Sequence, residues 1–144
     1  MFRIVVFVLM SMSSILGFAQ ETKDTYTIDA VIKNIGSNRG TVYYALYNTK
    51  ESFEKREAFQ SASSKIQDGI SQISFKEVPV GTYAIVCFHD VNDNLKFDMM
   101  DNGMPMEAYG ISNNSFSYGP PSFDEAKFEV NNTNLTFDIK LFRF

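Results

Sequence analysis

Strict alternation near the C-terminus constrains the fold most. Leu135, Phe137, Ile139 and Leu141 alternate with Thr136, Asp138 and Lys140, and only an extended strand puts every second side chain on one face. One face of that strand is predicted to be buried and the other wet. Tyr26, Ile28, Ala30 and Ile32 alternate with Thr27, Asp29 and Val31 in the same way, until Asn34 and Gly36 break the run. Further strands are expected over residues 40–47, 63–67, 70–77, 82–88 and 126–130, separated by turn residues such as Asp68-Gly69 and Asn131-Asn132. Residues 82–88 are apolar on both faces, as a central strand covered on each side would be. The turn residues Gly36-Ser37-Asn38-Arg39-Gly40 suggest that residues 40–47 return on the first strand as a hairpin. One short helix is expected within residues 48–60, where Asn48 with Glu51 reads as a capping pair. About seven short strands without a sustained helical period predict an all-β fold, an antiparallel β-sandwich.

The N-terminus predicts export. Arg3 precedes an apolar run that ends in Gly17-Phe18-Ala19, the pattern of a signal peptide over residues 1–19 cut before Gln20. The apolar core is short and interrupted by Ser11, Ser13 and Ser14, which disfavours a membrane anchor and leaves no transmembrane segment after cleavage. The expected location is the periplasm or the extracellular space. Loss of residues 1–19 removes Arg3 and no acid, so residues 20–144 carry 12 basic and 17 acidic side chains and a formal charge of −5. That balance disfavours a nucleic-acid partner. A chain of this length suits one domain with its own core, and the lone Cys87 excludes an internal disulfide. Its apolar setting predicts a buried structural thiol.

The stretch 90–122 carries no convincing periodicity and is rich in Asn, Asp, Gly, Met and Pro. A connection of that length calls for something to order it, and its aromatic residues speak against disorder. Its first part has the spacing of a calcium loop. From Asp90, the side-chain ligand positions hold Asp90, Asn92, Asn94, Asp98 and Asp101, and Lys96 stands where a backbone carbonyl is used. Asp93 and Glu107 are reserve carboxylates, and Phe97 is placed to pin the loop to the core. Hard oxygen ligands without a His or thiolate cluster favour calcium as the possible cofactor. Leu95 stands where glycine normally makes the sharp turn, and Asp101 is shorter than the usual glutamate. The competing reading is that the Asp and Asn side chains serve as turn formers, bonding nearby backbone amides.

The segment Pro79-Val80-Gly81-Thr82-Tyr83 resembles the Pro-x-Gly-x-Tyr hairpin of prealbumin-like sandwich domains, so the sandwich is expected to be prealbumin- or immunoglobulin-like. Gly81-Thr82-Tyr83, the His89-Asp90-x-Asn92-x-Asn94 loop, the segment from Gly103 to Asn114 and Pro121-Ser122-Phe123 together resemble the bacterial family catalogued as domain of unknown function 2141. Met104 and Ile111 stand where the family pattern has Ile and Phe. The resemblance implies an exported sandwich domain without an established activity.

Three functions compete. No nucleophile elbow, phosphate loop or zinc-protease motif is present, so an enzyme is not expected, and a hydrolase using His89 and Glu107 is the weakest reading. A carbohydrate- or peptide-binding module would use His89, Glu107, Tyr109, Tyr118 and the neighbouring Phe116 and Phe123 as contacts, although prolines and glycines interleave these aromatics and favour a mini-core under the long loop. The favoured expectation is a non-enzymatic, calcium-binding envelope accessory or binding module whose partner is an envelope protein or glycan.

Overall fold

A computed structural model of the chain describes residues 24–115, 117 and 119–143. The expected signal peptide, Phe116 and Tyr118 lie outside the described residues. Among the described residues, eight strands run in chain order as β1 (Thr25–Ile32), β2 (Thr41–Tyr47), β3 (Gln60–Lys65), β4 (Ser71–Pro79), β5 (Gly81–Asp90), β6 (Tyr109–Ile111), β7 (Lys127–Val130) and β8 (Leu135–Ile139). They form two sheets, one ordered β4-β1-β8 and the other β3-β2-β5-β6, with β7 also paired to β5. All pairings are antiparallel except that of β1 with β8. The fold is therefore the expected all-β sandwich.

The two sheets meet through the residues that alternation selected. Ile28, Ala30, Ile32, Phe75, Val78 and Ile139 from the smaller sheet pack with Val42, Tyr44, Leu46, Ile85 and Cys87 from the larger. The Tyr44 hydroxyl and Ser71 Oγ share a buried hydrogen bond of 2.8 Å across the two layers, which satisfies both polar groups where water is absent. Burial pushes the Cys87 thiol up to about 12, so it behaves as the inert core residue expected.

Strand β5 is covered on its second face as well. Tyr47, Ala84, Ile111, Phe123 and Ala126 form a satellite cluster with Phe53 and Val86, roofed by α1 (Lys50–Lys55) and α2 (Phe123–Ala126). The cap of α1 is Thr49 with Ser52, one residue later than the expected Asn48 and Glu51 pair. The second helix, one turn long, was not expected, although Ser122 and Glu125 form a capping box that the sequence spells out.

The expected hairpin between the first two strands does not form. β2 pairs with β3 and β5 in the other sheet, so residues 33–40 cross between layers. Gly40 marks the crossing: its φ is +80° and an added Cβ would lie 2.0 Å from the Asp90 carbonyl oxygen. The glycine serves a close approach of the chain entering β2 to the end of β5, its neighbour in the same sheet, which from sequence looks the same as a turn residue.

Candidate functional site

β5 runs from the core directly into the acidic loop, so its last residues, His89 and Asp90, are both buried. Asp90 is 0% exposed. Its Oδ1 accepts the Asn94 backbone N–H at 3.2 Å and its Oδ2 accepts that of Leu95 at 2.9 Å. Asn92 Oδ1 accepts Asn94 N–H at 3.2 Å and Asn94 Oδ1 accepts Lys96 N–H at 2.9 Å, two consecutive Asx-turns. Both side-chain amides then donate to one oxygen, Asp98 Oδ2, at 3.0 and 2.8 Å. The spacing thus brings Asp90, Asn92, Asn94 and Asp98 together in one wound loop. Phe97 holds that loop on the sheet, its ring 5.4 Å from Phe88 and 6.2 Å from Tyr109 between centroids.

The reserve carboxylates separate. Asp93 points away and pairs with Thr41 Oγ1 at 2.6 Å and Lys65 at 2.9 Å. Those two hydrogen bonds hold its carboxyl below the usual range. Glu107 turns inward, where its two oxygens accept the backbone N–H groups of Val91 and Asp98, each at 3.2 Å, and so join both ends of the loop. Burial chiefly, with the charges of Asp90 and Asp98 added, raises the Glu107 pKa against the lowering pull of those amides. Asp101 is exposed in the turn of a small hairpin formed beyond Asp98, and it takes no part in the hydrogen bonds that join the other four. His89 Nε2 lies 2.7 Å from the Arg39 carbonyl. A carbonyl only accepts, so Nε2 carries the proton and its lone pair is not available to a metal.

Leu95 has φ +64° and is 73% exposed. It occupies the left-handed conformation that glycine would take at this loop position, at a cost of about 1–2 kcal/mol and with little burial in return. Leu95→Gly is expected to raise stability by about 0.5–1 kcal/mol, the relieved strain less the extra chain entropy of glycine. Urea unfolding reads this directly, and a loss of stability would show that Leu95 contributes packing that outweighs the strain.

Among the described residues, no three His, Cys, Asp or Glu side chains are grouped as an ion held by such ligands alone would need. A cation here would be held by Asp90 and Asp98 with the Asn92 and Asn94 oxygens and the Lys96 carbonyl. That hard, mixed oxygen set suits calcium. Among the same residues, no ion pair includes Asp90, Asp98 or Glu107.

Tyr109 and Phe123, weighed as ligand contacts against a mini-core under the loop, are both buried, as the mini-core reading expects. Tyr109 lies in β6 against Phe97, and Phe123 meets Phe53 at 6.0 Å in the satellite cluster. The segment after Glu107 is a set of clamps that the sequence reading missed. A Cβ on Gly110 would lie 2.6 Å from the Lys140 carbonyl oxygen. Ser112 Oγ accepts Ile85 N–H at 3.1 Å and donates to the Ala126 carbonyl. Asn113 Nδ2 donates to the Glu125 and Lys127 carbonyls, both at 3.0 Å, and Asn114 bonds Asp138 O and Lys140 N. Two adjacent asparagines after a serine signal such backbone clamping, but their partners are remote in sequence.

Neither a curated protein nor a solved structure matches the chain. The family model described as "Uncharacterized protein conserved in bacteria" matches residues 30–138, which span the strands from β1 to β8, the acidic loop and the clamp segment. The chain therefore belongs to that family, domain of unknown function 2141.

Proposed function

We propose that this protein is an exported, non-enzymatic calcium-binding module of the bacterial envelope, its ion held by Asp90, Asn92, Asn94, Asp98 and the Lys96 carbonyl. The observation that carries the reading is a charge without a partner. Asp90 and Glu107, both buried, and the half-buried Asp98 converge on one loop where, among the described residues, N–H groups are their hydrogen-bond donors, and buried carboxylates are normally paired with a cation or coordinate a metal. Each carboxylate has acceptor capacity beyond the N–H bonds it makes. Calcium would add the missing positive charge, and the ordered loop would then present a fixed surface to an envelope protein or glycan. Export, supported by the signal-peptide pattern in residues 1–19, places the domain where calcium is plentiful.

Sites in extracellular modules bind calcium with a Kd down to about 0.1 mM, so a hundredfold excess would stabilise by about 2.7 kcal/mol. For a domain of this size that corresponds to a rise in Tm of roughly 10 °C. Thermal unfolding with calcium, with chelator, and with sodium chloride at matched ionic strength should show the rise in calcium alone. Asp98→Asn retains an oxygen for the two asparagine amides but removes the charge, and is expected to remove most of the rise while leaving calcium-free stability nearly unchanged. Equal Tm values in calcium and chelator would refute the proposal.

A further inference from the structure

Methionine ordinarily fills gaps in a core, yet all four methionines beyond residue 12 fall within residues 99–106 and each is 39–53% exposed. They lie on the small hairpin that follows the acidic loop. Met99 and Pro105 form its antiparallel bridge, Met100 N–H donates to Met104 O at 2.7 Å, and Met106 N–H donates to Asp98 O at 2.9 Å. This register sets Met100 opposite Met104 and Met106 opposite Asp98. Residues two apart on a strand share a face, so Met100, Met104 and Met106 lie on one face with Asp98 and Met99 lies on the other.

We propose that Met100, Met104 and Met106 form a binding site for a soft monovalent cation, Cu(I) or Ag(I). Thioether sulfur is a soft, uncharged ligand that selects such ions over calcium or zinc. Directly opposed positions in an antiparallel pair hold Cβ atoms about 5 Å apart, with diagonal neighbours at about 7–8 Å. The three rotatable bonds of each methionine let three sulfurs from those positions close on one ion. The site is chemically separate from the oxygen-lined loop beside it. Cys87 is fully buried in the core between the sheets and is not part of the site.

The test is an anaerobic titration of calcium-free full-length protein with Cu(I), in competition with a chromophoric Cu(I) chelator. Running it without calcium keeps its outcome independent of the calcium proposal. The expected result is withdrawal of one equivalent of Cu(I), with affinity reduced at least a hundredfold by Met100→Leu combined with Met104→Leu and about tenfold by Met106→Leu. Met99→Leu and Cys87→Ala should bind as the parent does. These methionines are exposed, so their leucine variants should melt with the parent, which separates loss of ligand from loss of fold. Ag(I) should shift the methyl NMR signals of Met100, Met104 and Met106 and leave that of Met99 in place. Failure to withdraw Cu(I) from the chelator, or equal loss in Met99→Leu and in the Met100, Met104 pair, would overturn the proposal.

Discussion

Gly40→Ala should destabilise the protein by more than about 4 kcal/mol, a size reached only when a substitution breaks a specific structural requirement. The added methyl carbon would sit 2.0 Å from the Asp90 carbonyl oxygen and 2.7 Å from Val91 Cα, both backbone atoms that no rotamer change can move aside. The residue is also held at φ +80°, where alanine is strained by about 1–2 kcal/mol. Relief would require the crossover to lift from the end of β5, which would expose His89 and loosen the root of the acidic loop. Two glycines calibrate the series. Gly103→Ala meets nothing within 4 Å but has φ +79°, so it should cost only the strain. Gly36→Ala has open space and no positive φ, and should be nearly neutral. Urea midpoints for the three variants give the ranking, and a cost below 1 kcal/mol for Gly40→Ala would mean that the crossover can move away from β5 freely.

That glycine also shows where sequence stops informing on structure. Periodicity identified β1, β5 and β8 because a half-buried or doubly covered strand writes its burial into its own residues. It said nothing about which strand β2 would join, since pairing depends on segments remote in the chain, and a cluster of turn residues serves a layer crossing as readily as a hairpin. β6 is three residues long, too short for any alternation to register. The acidic loop was legible to the same extent. Asp90, Asn92, Asn94 and Asp98 come together because their relation is local, set by spacing within one winding of chain. Asp101 does not, because the hairpin begun at Met99 turns it away, and Glu107 reaches the loop from the return strand of that hairpin. The clamps of Ser112, Asn113 and Asn114 are tertiary in the same sense, since their partners lie 12 to 26 residues further on or on β5.

Asp90→Ala is the substitution expected to matter most to the loop, and it separates the two roles its carboxylate can have. Without calcium, the variant leaves the N–H group of Leu95 without its acceptor and that of Asn94 with Asn92 Oδ1 alone, beside a fully buried position. An unsatisfied donor there costs about 1–3 kcal/mol, so a loss of about 2 kcal/mol and roughly 8 °C in Tm is expected. The amides of Asn94 and Leu95 should exchange with solvent faster, while those of β5 before Asp90 stay protected. Asp90→Asn keeps one acceptor oxygen and should fall between parent and alanine variant. In calcium the variants should differ further from the parent, because each removes a charged ligand: the parent gains stability, and the alanine variant gains none. If Asp90 were a turn former alone, the alanine variant would lose stability by the same amount with and without calcium, and parent and variant would respond to the ion alike. A calcium response that survives Asp90→Ala at full size would therefore move the ion elsewhere, while faster exchange at Asn94 and Leu95 would still identify Asp90 as the residue that winds the loop.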